Sequence, residues 1–376
     1  PDILVTTVDG QQKYGPRQIM DIVNPTFRRY AEKIIRTLMA HVQHHPAIIG
    51  WQLDNETKHY DNIGRYMQEG FVRSLQEKYP DLRQLNHDFG LDYWSNRVND
   101  WADFPDVRGT INQSLAAEFQ RFQRSLVTEF LSWQSDIIKE YKRDDQFITQ
   151  NFDFDWTDHS YGYQPEVDQY DAARCMTVAG ADIYHPSQDD LTGAEITVCG
   201  NIARSLKKDN YLILETEAQG LTPWLPYPGQ LRLQAYSHLA NGSNSVMYWH
   251  WHSIHNAIES YWKGVLSHDF SENATYREAS GIGAEWKRIG AHLVNLKKKN
   301  RVAILLDNLS LAGLRQFPLE TTGDHSYNAV MRWLADALYR RNIEFDMVSS
   351  GERDFSAYDF LVVPALYAAS DDLLGA

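Results

Sequence analysis

Cysteine is nearly absent: Cys175 and Cys199 are the only two in 376 residues. Neither sits in a C-x-x-C pair, so neither a disulfide framework nor a cysteine-rich zinc site organises the chain. Two incidental thiols suit a reducing compartment, and a cytoplasmic protein is expected. Positive charge is also short. Lys and Arg number 36 against 50 Asp and Glu, a net charge of −14. That balance argues against nucleic-acid or anionic-membrane partners. No apolar run approaches the ~18 residues of a membrane span. No P-loop and no G-x-S-x-G elbow occurs. Gly281-Ile282-Gly283 lacks both the third glycine and the preceding strand of a dinucleotide loop, so no cofactor is expected.

Aromatic residues, by contrast, are plentiful: 11 Trp, 21 Tyr and 15 Phe. Sugar rings present apolar C–H faces that stack on aromatic rings, and their hydroxyls seek Asp, Asn, Glu and His. Abundant Trp and Tyr beside many carboxylates therefore point toward carbohydrate, although aromatics also fill cores.

Segments of strand and helix alternate. Asn24-Pro25 opens a helix as cap and first-turn residue, followed by apolar positions at helical spacing from Phe27 to Val42. Ala47 to Leu53 reads as a buried strand with Asp54-Asn55-Glu56 at its C-terminal end. Thr57 to Val107 reads as an extended loop with short helices, including Phe71 to Tyr79. A long helix from Ser114 to Tyr141 precedes a strand from Phe147 to Asn151. Strands ending at Tyr184, running from Tyr211 into Glu215, and spanning Ser245 to Trp249 follow. Helices at Ile196–Leu206, Leu231–Asn241 and Ala279–Lys298 complete the region.

Polar and aromatic clusters recur just after the strands. In a (β/α)8 TIM barrel that is the catalytic face. Only five βα units precede Lys298 where a barrel needs eight, and the chain opens on Pro1 rather than Met, so the first three are expected upstream. Lys297-Lys298-Lys299 marks a boundary, read as cations at a helix C-terminus. Beyond it, strands at Arg301–Leu306, Phe345–Val348 and Phe360–Val363, with a helix at Tyr327–Arg340, begin a second, doubly wound domain that stops short at Ala376. The expected division is 1–299 and 300–376.

A glycosidase needs two carboxyl groups across the scissile bond. Glu56 at a strand end is the first candidate. Glu215 and Glu217 compete for the second, because strand alternation puts both on one face. Glu215 follows the apolar run directly and is preferred. A structural alternative is a salt bridge from one of them to Arg232. His250, His252 and His255 lack the companions of a zinc site, so no metal is expected.

His45-Pro46-Ala47-Ile48-Ile49-Gly50-Trp51-Gln52-Leu53-Asp54-Asn55-Glu56 resembles the acid/base segment of family 42 β-galactosidases. Tyr211 to Glu215 resembles that family's nucleophile strand. Trp224-Leu225-Pro226-Tyr227, Tyr248-Trp249-His250-Trp251 through Glu259, and His268-Asp269 continue the likeness in order over nearly the whole chain. The resemblance implies a retaining enzyme with Glu56 as acid/base and Glu215 as nucleophile. It implies Asn55 at the sugar 2-hydroxyl, and Asn151, Tyr184, Trp224, Trp251, Glu259 and Trp262 on the pocket wall. Trp262 stands where several relatives carry His, which leaves the fine sugar preference open; arabinopyranose matches galactose without its C6 group, so the sequence hardly separates a β-galactoside from an α-L-arabinopyranoside. Some relatives hold zinc in a cysteine cluster after the acid/base; Thr57-Lys58-His59-Tyr60 and the following loop contain no Cys. The second domain is implied to be the start of an amidotransferase-like trimerisation domain, and the whole protein a homotrimer acting on β-galactosides. A related β-glycosidase and a non-catalytic sugar-binding relative are the competing readings.

Overall fold

Asn24 opens the first helix, α1 (Pro25–Val42), by accepting from the backbone N–H of Thr26 and Phe27, with Pro25 in the first turn. The structure is a computed structural model that describes residues 2–15, 17, 19–109, 111–219, 225–256, 258–319 and 326–376. Strand β1 (Gly50–Asn55) starts later than the apolar run beginning at Ala47. Ala47 to Ile49 stay outside it because Ile48 N–H donates to His45 O at 3.2 Å, closing a turn.

The stretch expected as an extended loop with short helices is a small helical layer, and the helix expected at Phe71 to Tyr79 starts earlier, at Arg65. It holds α2 (Arg65–Lys78), α3 (Leu82–Asp88) and two 3-10 turns. Met67, Phe71 and Leu75 fall at i, i+4 and i+8, so one face of α2 is apolar and buried. With Leu85, Leu91 and Val98 they form a local core against Leu115 and Phe119 of α4 (Gln113–Lys139).

Strand β2 (Phe147–Phe152), the one-turn α5 (Gln169–Ala172), β3 (Gly180–Asp182), α6 (Ala194–Lys207), β4 (Tyr211–Glu217), α7 (Gln230–Ala240), β5 (Ser243–Trp249) and α8 (Ala274–Ile289) follow. The strands pair in sequence order, β1-β2-β3-β4-β5, every neighbour parallel. Sequential parallel strands joined by helices are the winding of a (β/α)8 TIM barrel, here five of its units. Strands β2 to β4 are largely buried, whereas the edges β1 and β5 are half-exposed. At Gly180 the strands crowd: a Cβ there would lie 2.6 Å from the Gln150 carbonyl oxygen and 2.4 Å from Leu214 Cδ1.

Helix α8 runs from an Asn273 cap to Ile289, not from Ala279 to Lys298. The Lys297–Lys299 run therefore lies beyond the helix. Lys297 pairs with Asp209, and Lys298 with Glu344 at 3.3 Å.

The second sheet comprises β6 (Val302–Leu306), β7 (Asp346–Ser349) and β8 (Phe360–Val362), parallel in the order β7-β6-β8. That reversal of strand order is the doubly wound pattern. Helix α9 (Asn308–Gln316), unforeseen in the sequence, starts at an Asp307 cap. Helix α10 (Tyr327–Tyr339) connects toward β7, and α11 (Asp371–Leu374) closes the segment. Both sheets share one core: Val127 and Phe130 of α4 and Val198 and Ile202 of α6 pack with Ile304, Met331 and Phe345. Among the described residues no helix is long and apolar enough to cross a membrane.

Candidate active site

The C-terminal ends of the five parallel strands converge on one cavity of about 650 Å³. It is lined by Arg17, Asn55, Glu56, Trp156, Tyr184, Glu215, Trp249, Ile258, Glu259, Tyr261 and Trp262. Residues at or just past β1, β3, β4 and β5 line it, and Trp156 reaches it from the segment after β2, because successive βα units place their C-terminal residues around the same axis.

Glu56 follows β1 with φ of +44°, a left-handed turn that few non-glycine residues adopt. Two bonds hold it there. Its N–H donates to Asn151 Oδ1 at 3.1 Å, and its carbonyl accepts from the Tyr60 hydroxyl at 3.1 Å. Its carboxylate accepts from Arg17 Nη1 at 3.2 Å, and Arg17 Nη2 lies 3.5 Å from Glu259.

Glu215 stands opposite on β4. Its Oε2 accepts from the Tyr184 hydroxyl at 2.8 Å, and its Oε1 lies 3.3 Å from Asn151 Nδ2. Burial raises the Glu215 pKa, the Tyr184 hydrogen bond lowers it, and the Glu56 charge raises it again; the net shift is upward. Tyr184 is itself buried, and its hydroxyl pKa is driven up by burial and by the Glu215 charge, so it stays a proton donor to the carboxylate.

Glu56, Glu215 and Asp182 each offer a carboxylate oxygen within 4.8 Å of the others. Among the described residues this is the single cluster with the proximity of a metal-ligand set. Arg17, Asn151 and Tyr184 already direct hydrogen-bond donors at these oxygens. The donor set therefore suits hydrogen-bonded carboxyl chemistry better than a cation. His250, His252 and His255 meet through their rings, at centroid distances of 5.2 and 5.7 Å.

Glu217 is placed away from the cavity. It is 1% exposed, and its Oε1 accepts from His185 N at 3.1 Å and lies 2.8 Å from His185 Nδ1. Simple alternation would have set it beside Glu215. The β4 register slips against β5 between Ile213 and Thr216, and Thr216 and Glu217 both turn inward. Arg232 pairs with Glu285 at 3.0 Å and with neither strand glutamate.

Asn55, Tyr184, Glu259 and Trp262 line the cavity as expected from the sequence. Asn151, also expected on the wall, is not part of the lining: it is buried and bonded to both Glu56 and Glu215. Trp251 does not line it. It is 61% exposed and packs edge-on against Tyr276, because the strand ends at Trp249, which takes the wall position instead. Trp224 lies outside the described residues.

Residues 1–289 match the family model described as β-galactosidase, of glycoside hydrolase family 42. This chain belongs to that family. Residues 300–376 match the model of the β-galactosidase trimerisation domain. β-Galactosidase BgaH of Haloferax lucentense is 27% identical over 390 residues, covering 99% of this chain and 57% of the relative. The crystal structure of β-galactosidase from Bacillus circulans sp. alkalophilus superposes with a TM-score of 0.85 at 25% identity, over 96% of this chain and 54% of that one. A catalytic mutant of Gan42B, a family 42 β-galactosidase from G. stearothermophilus, gives a TM-score of 0.89 at 23% identity, over 100% and 56%. The chain thus spans little more than half the length of the relatives it matches.

The family 42 cavity contains residues that sequence reasoning passed over. Arg17 and Trp156 lie in irregular segments, where no periodicity marks a functional side chain. Asp182, which joins Glu56 and Glu215 in the carboxylate cluster, carries a signal in the sequence, a carboxylate at the end of a strand.

Proposed function

We propose that the whole protein is a retaining β-galactosidase, with Glu215 as nucleophile and Glu56 as acid/base. One observation carries the reading: Glu56 and Glu215 face each other across an aromatic-walled cavity with carboxylate oxygens within 4.8 Å. Carboxyl groups about 5–5.5 Å apart suit direct attack on the anomeric carbon, whereas an inverting pair needs about 6.5–9.5 Å to admit water.

In the first step a Glu215 oxygen bonds to the anomeric carbon as the bond to the leaving oxygen breaks. Glu56 gives that oxygen its proton, once Arg17 has released the carboxylate. In the second step Glu56 takes a proton from water, the water oxygen bonds to the anomeric carbon, and Glu215 departs. Two inversions give net retention. Tyr184 steadies Glu215 through its 2.8 Å bond. Trp262, 7% exposed and 5.0 Å from Tyr184 between ring centroids, backs the sugar-facing wall. Asn55 takes the 2-hydroxyl, and Glu259 reads the remaining hydroxyls.

Residues 1–299 are proposed as the last five units of the barrel and 300–376 as the start of the trimerisation domain, in a cytoplasmic homotrimer. The test is hydrolysis of nitrophenyl β-D-galactoside by the whole protein. Turnover that falls at least about 10³-fold in Glu56→Ala and Glu215→Ala supports the reading. Wild-type protein without turnover on any β-glycoside would refute it.

A further inference from the structure

Asn151 makes five hydrogen-bond contacts with its one amide. Its Oδ1 accepts from Gln52 Nε2 at 2.9 Å and from Glu56 N at 3.1 Å. Its Nδ2 faces three acceptors with only two protons: Asp182 Oδ2 at 2.6 Å, Asn55 Oδ1 at 3.1 Å and Glu215 Oε1 at 3.3 Å. The amide is nearly symmetric in shape, so its partners alone decide which end points where. Flipped, it would set its N–H groups against the Glu56 and Gln52 donors and its oxygen against Asp182 and Glu215. Asp182 is the closest and most deeply buried of the acceptors, at 0% exposure.

We infer that Asp182 is a positioning residue, fixing the Asn151 amide in the orientation that holds Glu56 and Glu215 on one centre. The inference rests on the proposed roles of those two glutamates. Asp182 is well set for the task. The β3–β4 register aligns it with Glu215, and it ends a strand locked between β2 and β4. Its other oxygen, Oδ1, is buried with no hydrogen-bond partner. The charged groups facing it are Glu215 on β4, Glu56 beyond β1 and Asp153 beyond β2. Burial, then the Glu215 and Glu56 charges, push its pKa well above the ordinary carboxylate range. The raised pKa disfavours a charge at this position, and the geometry asks of Asp182 only an acceptor oxygen aimed at Asn151 Nδ2.

An acceptor oxygen can be supplied by an amide as well as by a carboxyl group, whereas alanine supplies none. In the whole protein, Asp182→Ala is expected to lower kcat about 100-fold with KM within about threefold, the signature of misplaced reacting groups. Asp182→Asn is expected to recover to within about fivefold of wild type, with both limbs of the pH profile unmoved. An Ala variant within threefold of wild type overturns the inference, as does a folded Asn variant no better than Ala. Crystal structures of both variants give a readout independent of turnover. The 3.1 Å bond from Glu56 N to Asn151 should persist in Asp182→Asn and be lost in Asp182→Ala. Its survival in both overturns the inference even if no galactoside is hydrolysed.

Discussion

Replacing Glu217 by alanine removes one half of a fully buried ion pair. The Glu217 side chain is 1% exposed and that of His185 0%. Glu217 Oε1 takes the His185 backbone N–H at 3.1 Å and lies 2.8 Å from His185 Nδ1, while Oε2 takes the Thr216 hydroxyl at 3.2 Å. Truncation leaves a buried backbone N–H and a buried imidazole without that partner. Breaking such a pair from one side costs about 3–5 kcal/mol. At about 2.1 cal/mol/K of unfolding entropy per residue, a chain of 376 residues shifts by roughly 1.3 °C per kcal/mol, so the melting temperature should fall by about 5 °C.

The pair also gives stability a pH dependence of defined sign. Burial alone would lower the His185 pKa; the Glu217 charge overrides it, and the net shift is upward. Its stabilisation is complete below the unfolded histidine value of about 6.5 and is lost as pH rises through the higher folded value. Glu217→Gln should abolish that loss. Thermal and denaturant unfolding across pH 5 to 9 is the assay, run beside galactoside hydrolysis. A Glu217→Ala protein that melts like wild type, yet is inactive and rescued by azide, would refute the reasoning. Glu217 would then be the nucleophile.

Two further predictions concern the cavity wall. Tyr184→Phe deletes the 2.8 Å donor to Glu215. That bond lowers the Glu215 pKa, so its loss should move the acid limb of kcat/KM to higher pH and reduce kcat about 10- to 100-fold; an unmoved limb would dissociate Tyr184 from Glu215. Trp262→Ala should raise KM for the galactoside about tenfold with kcat within threefold. The companion Trp262→His should change the ratio of galactoside to arabinopyranoside turnover, and an unchanged ratio would remove Trp262 from substrate selection.

What the sequence conveyed followed from local rules. The Asn24 cap, the apolar spacing of α1, and the strand ends carrying Asn55, Glu56, Tyr184 and Glu215 obey periodicities that survive folding. The helical layer after β1 was harder, since its core depends on α4 packing back onto α2. The separation of Glu217 from Glu215 came from a register slip between two strands, and a single strand carries no mark of that. Trp249 replaced Trp251 because the strand stopped earlier than the aromatic run. Arg17 reaches Glu56 from an irregular segment, where neither spacing nor polarity distinguishes it from a solvated arginine.

The most direct test of the account is azide rescue of the two glutamate variants in the whole protein. Azide replaces a deleted carboxylate and leaves its stereochemistry in the product. Glu215→Ala with an activated β-galactoside should give the α-galactosyl azide, and Glu56→Ala the β-galactosyl azide. The α-azide from Glu217→Ala, with none from Glu215→Ala, would contradict it.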